Sequence, residues 1–312
     1  MAVFMTAIFI SVPTLAQQNR EADQLVKGMI EASKTLNYSG LVTYEKAGRL
    51  KTSKMLHLIR ENNIFEQLIH LDGPAGQFSW RRIDENCGLG GAQGAETGAL
   101  STLDSSSFER LTASYSFEIR GQSRVAGREA TSLLLKPKDN FRLPYFVAID
   151  NQSNLMLMSV ILNQVGKPLE RFQFVEIQVG GDLDSMSIDE AGVNVEDSCA
   201  VESAQQPLDD WTVGWVPPEF FLTDSEKEPL TGQSVMSFSD GLSAFTVFIE
   251  SVQTSKKIPP FTFNQGATTA ISSKLKYKGD EFTVSVVGEI PTDSAKKIVQ
   301  SVGHSSKQSQ LP

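Results

Sequence analysis

The sequence predicts an α+β protein that is mainly antiparallel β: a large half-barrel with a helix, then a smaller β-rich unit closed by a terminal helix. Three observations carry this. A single helical stripe opens the chain, short β-type runs separated by turn residues fill the region from Tyr38 to Ile177, and a second β group ends in a helical stretch after Pro291. With 312 residues, there is length enough for two cores. A hydrophobic share of 40% and a charged share of 21% exclude wholesale disorder and a membrane bundle.

The first 16 residues carry no charge and include the apolar run 3–10. That run is too short to span a bilayer and suits the core of a signal peptide, although a positively charged start is missing. Thr14 and Ala16 fit the small positions of a cleavage site, so 1–16 is expected to be a leader; a buried N-terminal element is the alternative. Export would place Cys87 and Cys199, the only cysteines, in an oxidising compartment. They form a candidate disulfide, with two unpaired thiols as the alternative.

From Asn19, the residues Leu25, Met29, Ala32 and Leu36 recur at helical spacing, with Val26, Ile30 and Ser33 flanking them. Strands are then expected at 38–44, 52–60, 64–71 and 76–82, divided by Lys46-Ala47-Gly48, Glu61-Asn62-Asn63 and Asp72-Gly73-Pro74. The glycine-rich stretch 87–107 reads as a long surface loop, with a helical turn near 108–111. Strands resume at 116–120, 129–136, 145–149, 155–162 and 170–177. The polar stretch 202–210 is the expected linker, which divides the mature chain into 17–201 and 211–305 and leaves 306–312 as a tail.

In the second unit, Val235 to Ser239, Asp240-Gly241 and Leu242 to Glu250 predict a hairpin, since Asp-Gly favours the positive φ of a two-residue turn. Further strands are expected at 268–277 and 281–289. Thr292 is the expected N-cap of the last helix, with Asp293 in its first turn and Ala295, Ile298, Val299 and Val302 on its apolar face.

Catalytic patterns are thin. No GxSxG elbow, Walker A loop, HExxH helix or EF-hand loop occurs, and no nucleophile is paired with a base, so no enzyme activity, cofactor or metal is expected. His57, His70 and His304 have unlike spacings, and Asp182, Asp184, Asp189 and Glu190 read as a solvated charge run. Asn37 and Asn151 stand in Asn-x-Ser sequons that matter only in a glycosylating pathway. A balance of 37 acidic against 28 basic residues, net −9, has the wrong sign for gripping nucleic acid.

What remains is apolar surface. A half-barrel's concave face, with Tyr38, Val42, Tyr44, Phe65, Leu68, Leu71 and Phe78 as inward candidates, either fills with its own side chains or leaves a lipid-sized cavity. Trp211, Trp215, Phe220, Phe221, Phe238 and Phe245 give an aromatic density suited to gripping a peptide or to forming the smaller unit's core.

Several segments, in order, resemble the MucB/RseB family of periplasmic regulators of the sigma-E envelope-stress response. They are Leu36-Asn37-Tyr38-Ser39-Gly40, Leu68 to Pro74, Leu143-Pro144-Tyr145, Leu169 to Phe174, the Trp215-Val216-Pro217-Pro218-Glu219-Phe220 box, Ser239 to Glu250 and Thr283 to Pro291. The chain departs in the insert 87–107 and at Glu219, where the family's box has glycine. The resemblance implies an N-terminal domain similar to the lipoprotein carriers LolA and LolB and a smaller C-terminal domain. It further implies binding to the periplasmic region of a membrane-spanning anti-sigma factor, protection of that region from the site-1 protease, and release by lipid or lipopolysaccharide. A lipid or lipoprotein carrier is the alternative function.

On this reading Trp215, Phe220, Asp240 and Phe245 are the candidate contacts to the anti-sigma factor, and Tyr38, Phe65 and Leu71 the candidate contacts to acyl chains. Arg81, Arg82, Arg124 and Arg128 offer local basic help with an anionic ligand. A second copy of the chain is a candidate partner, and the mature protein is expected in the periplasm.

Overall fold

A computed structural model describes residues 15–60, 63–73, 77–83, 107–185, 211–228, 231–252 and 259–304. Helix α1 (Leu15–Thr35) is followed by strands β1 (Tyr38–Lys46), β2 (Arg49–Arg60), β3 (Asn63–His70) and β4 (Gln77–Ile83). After α2 (Ser107–Ser114) come β5 (Tyr115–Val125), β6 (Arg128–Pro137), β7 (Tyr145–Asp150), β8 (Met156–Leu162), β9 (Pro168–Val179) and the single turn α3 (Asp182–Ser185). All nine strands join one sheet in the order β4-β3-β2-β1-β9-β8-β7-β6-β5, antiparallel throughout. The sheet is open: β4 and β5 are its edges.

Helix α1 covers one face. Ala22, Val26, Met29 and Ile30 pack with Tyr115, Leu133, Tyr145 and Val147, while Ala32 joins Tyr38, Val42, Tyr44, Leu68 and Phe174. The buried stripe is centred on Val26, one residue later than the sequence pattern suggests, and Leu25 is only partly buried. On the opposite face, Leu56, Leu58 and Phe65 meet Leu183 of α3. The sequons are structural cross-links: Asn37 donates to Asp184 at 2.6 Å and accepts from the Ile59 amide, and Asn151 accepts from Thr131.

The second sheet holds β11 (Phe221–Lys227), β12 (Ser234–Ser239), β13 (Ala244–Ser251), β14 (Phe261–Gln265), β15 (Thr268–Tyr277) and β16 (Asp280–Gly288), in the order β11-β12-β13-β16-β15-β14. A separate pair joins β10 (Trp211–Val213) to β17 (Val302–His304). Helix α4 (Thr292–Ser301) puts Ala295, Ile298 and Val299 into the core with Phe220, Phe238, Phe245, Val247 and Val286.

Three sequence expectations need correction. The hairpin turn has four residues, Asp240 to Ser243, because Asp240 accepts the Leu242 and Ser243 amides at 2.9 and 2.8 Å and builds a wider loop. Pro291, not Thr292, is the N-cap, and the Thr292 hydroxyl turns to Asn264. Strands β11 and β14 were not expected: β11 has no fully buried position and β14 is exposed along its whole length, so neither carries an alternating apolar face. The expected leader (apart from Leu15 and Ala16, which begin α1), Cys87 and Cys199, the linker 202–210 and the tail lie outside the described residues. No described helix is long and apolar enough to cross a membrane.

Candidate functional site

The two sheets meet along a junction where polar side chains are buried in two clusters. At its centre stands Arg142, in the segment between β6 and β7, with its side chain 1% exposed. Its Nε donates to Asp240 Oδ2 at 2.7 Å, and its two terminal nitrogens donate to Asp139 and to the Pro218 carbonyl. The guanidinium also lies over the Phe220 ring, 5.1 Å from its centroid. Pro218 and Glu219 form the middle of a reversal closed by Phe220 N–H donating to Pro217 C=O at 3.2 Å, with Glu219 at φ +63°. The Trp-x-Pro-Pro box is therefore a turn whose carbonyl is captured by an arginine of the other sheet.

Asp240 spends both oxygens: one holds the loop amides, the other Arg142. Burial pushes its carboxyl up, against the pull of the Ser243 amide and the Arg142 charge. The loop it shapes inserts Leu242 into the first sheet's core beside Tyr145 and Leu143. Tyr145 meets Ser243 Oγ at 3.2 Å, and burial pushes the phenols of Tyr115 and Tyr145 well up.

The second cluster lies where the β1 and β9 ends meet the β14–β15 turn. Glu170, its side chain 2% exposed, accepts the Ala267 amide at 2.8 Å, the Lys46 ammonium at 3.0 Å and the Tyr44 hydroxyl. Lys46 also donates to Thr268 Oγ1 at 2.7 Å. Gly266 makes this approach possible: its φ is +60°, and a Cβ there would stand 2.5 Å from Glu170 Oε1. On the outer side, Phe141 meets the Trp215 ring edge-on at 5.2 Å, with Lys297 3.9 Å above the Trp215 ring. Ser294 of α4 donates to the Phe141 carbonyl.

Of the residues singled out in the sequence, Trp215, Phe220 and Asp240 come together at this junction. Phe245 lies just behind, stacked on Phe238 at 5.0 Å and tilted against Phe220 at 5.3 Å. Phe220, Asp240 and Phe245 are buried, and Trp215 is half-buried. In this arrangement a partner can touch Trp215 but not the other three, and Phe245 is enclosed by the second sheet's own core. Tyr38, Phe65 and Leu71 are not brought together. Tyr38 faces α1, stacked on His57 at 4.4 Å; Phe65 lies on the opposite face; Leu71 follows β3, 55% exposed. The alternation of a strand already separates Phe65 from Leu68, so the set of inward candidates mixed two faces.

Sequence reasoning missed Arg142, Lys46, Glu170 and Phe141. An arginine between Phe141 and Leu143 carries no mark of burial, because its buried carboxylate partner is 98 residues away and Asp139, three residues before it, is an ordinary surface pairing by sequence. It also missed the buried His57–Glu66 pair, Nδ1 to Oε1 2.7 Å, directly opposite one another on β2 and β3. Among the described residues no cluster suited to a metal ion occurs.

Residues 21–192 match the model of the MucB/RseB N-terminal domain, and residues 205–303 that of the MucB/RseB C-terminal domain. The Sigma-E factor regulatory protein RseB of Haemophilus influenzae is 30% identical over 290 residues, 90% of each chain. The Sigma factor AlgU regulatory protein MucB of Pseudomonas aeruginosa is 28% identical over 298 residues, 92% of each chain. The solved complex of Pseudomonas aeruginosa MucA and MucB aligns with a TM-score of 0.71 at 26% identity, covering 92% of this chain and 99% of that one. A crystal structure of MucB in complex with MucA(peri) aligns at 0.70 and 27% identity, covering 91% and 99%.

Proposed function

The chain belongs to the MucB/RseB family, and on that premise we infer that it binds the periplasmic region of a membrane-spanning anti-sigma factor and shields it from the site-1 protease. One observation carries the reading: both family domains are matched in order, and a relative that aligns over nine-tenths of this chain is solved with MucA(peri). The reading places the mature protein in the periplasm. Steric occupancy is the mechanism, and it needs no covalent chemistry. Regulation then requires a signal that binds the occupied and free states with different affinity.

Acyl chains of lipopolysaccharide or lipoprotein are the signal this reading implies. Leu71, exposed beyond β3, is the one of the three lipid candidates that a ligand can touch without rearrangement; Tyr38 and Phe65 need the α1 face or the α3 turn to move. Trp215, at the rim of the junction, is the partner candidate most open to solvent.

Calorimetric titration with the cognate anti-sigma periplasmic segment tests the reading. Micromolar or tighter binding is expected, together with slower cleavage of that segment by the site-1 protease. No binding at micromolar concentrations overturns it. Adding lipopolysaccharide should reverse the protection, and Trp215→Ala should weaken binding by tenfold or more.

A further inference from the structure

We propose that the free edge of β14 takes an extended stretch of the anti-sigma segment as a seventh strand of the second sheet. The proposal rests on the partner reading above and adds to it a place and a mode of recognition.

The two large sheets end in four edges, and three of them are guarded. β4 carries Arg81 and Arg82. β5 carries Glu118, Arg120 and Arg124 and is broken by a register shift between Ile119 and Gly121. β11 carries Asp224, Glu226 and Lys227 and shifts register between Leu222 and Asp224. Charges and bulges of this kind keep other chains from pairing with an edge. β14, Phe261-Thr262-Phe263-Asn264-Gln265, has no charge, no proline and no register shift, and every one of its residues is exposed.

The backbone of that edge specifies what fits it. β14 and β15 are joined by the two-residue turn Gly266-Ala267, with Gly266 at φ +60° and Gln265 opposite Thr268. A two-residue turn closes on a hydrogen-bonded pair, and such pairs alternate along an antiparallel ladder. Gln265, Phe263 and Phe261 therefore spend their amides and carbonyls on β15, whereas Thr262 and Asn264 turn theirs to the open side. Only an extended backbone returns donors and acceptors at that two-residue spacing; a helix or an acyl chain does not. Phe261 and Phe263 share one face beside the edge, 38% and 54% exposed, so the segment that fits places apolar side chains at alternate positions.

Two features favour the anti-sigma segment over a second copy of the chain. Each chain carries a net charge of −9, so two copies repel, while an uncharged edge accepts a segment of either sign. The edge also leads toward the rim of the junction. Asn264 accepts the Thr292 hydroxyl at the start of α4 at 3.2 Å, and Lys297, roughly 8 Å further along that helix, lies on the Trp215 ring.

Hydrogen exchange on the full chain, with and without the cognate anti-sigma periplasmic segment, tests the proposal. The Thr262 and Asn264 amides are expected to exchange freely in the chain alone and roughly tenfold or more slowly once the segment is bound, while the β11 amides stay level. Thr262→Pro removes an outward N–H and spares the β15 ladder, and Phe261→Lys puts a charge on the edge; each should weaken binding by about tenfold or more at an unchanged unfolding midpoint. Binding without protection at Thr262 and Asn264, or at full affinity in both variants, overturns this proposal and leaves the partner reading standing. No binding at micromolar concentrations overturns both. Protection of the two amides in the chain alone, together with a dimer in sedimentation, gives the edge to a second copy and overturns the proposal as well.

Discussion

Glu219 shows how far a single residue can be read. It is the one departure from the family's Trp-x-Pro-x-Gly-Phe box, and the structure places it at φ +63°, the second central position of a turn that favours glycine. A left-handed conformation costs an L-residue about 1–2 kcal/mol, and glycine returns part of that through its freer unfolded chain. Glu219→Gly is therefore expected to stabilise by about 0.5–1 kcal/mol, seen as a higher denaturant midpoint at unchanged slope. Asp240 is the opposite case. Asp240→Ala leaves the buried Arg142 guanidinium only Asp139 and the Pro218 carbonyl, frees two loop amides, and should cost about 3–5 kcal/mol in equilibrium unfolding. Asp240→Asn keeps an oxygen for the two loop amides and should cost less. The sequence singled out Asp240 as a partner contact; that its carboxylate meets Arg142 could not be read from spacing.

Among elements, the β13–β16 pair repays attention because its register sets Phe245 directly opposite Gly288. A Cβ at Gly288 would collide with the Phe245 Cβ and with the Ala244 carbonyl. Gly288→Ala should cost about 1–3 kcal/mol by pushing Phe245 off its stack with Phe238 and Phe220, and near-ultraviolet circular dichroism together with the unfolding midpoint will show it. The hairpin itself was legible from Asp240-Gly241 between apolar runs, and so were most strands of the first sheet. Its four-residue loop was not, since it depends on a side chain hydrogen-bonding its own backbone. Edge strand β14 was illegible for a related reason: with no buried face it shows no alternation.

On the scale of the whole molecule, the two sheets are joined more closely than a linker implies. Leu242, from a loop of the second sheet, and Ala267, from another, lie within the first sheet's core. Leu242→Ala should cost about 2–5 kcal/mol, and the loss should appear in the protection of Tyr145 and Val147 amides although Leu242 belongs to neither their sheet nor their segment. A loss confined to second-sheet amides would contradict that packing. The same junction encloses Phe220 and Asp240 and leaves Trp215 at its rim.

The sequence by itself determined the class of fold, the order of most elements, the aromatic character of the second unit and, through its ordered motifs, the family. Those properties are local: period-two alternation, turn residues and short motifs are written within a few residues of one another. Only the tertiary structure decided that Trp215, Phe220 and Asp240 converge on a junction, that Tyr38, Phe65 and Leu71 do not share a surface, and that Lys46 and Glu170 meet the Ala267 amide and the Thr268 hydroxyl of the other sheet. These depend on strand order and on burial, which bring together charges more than a hundred residues apart. In a dry environment such charges must find partners, and no stretch of sequence records which partner each will find.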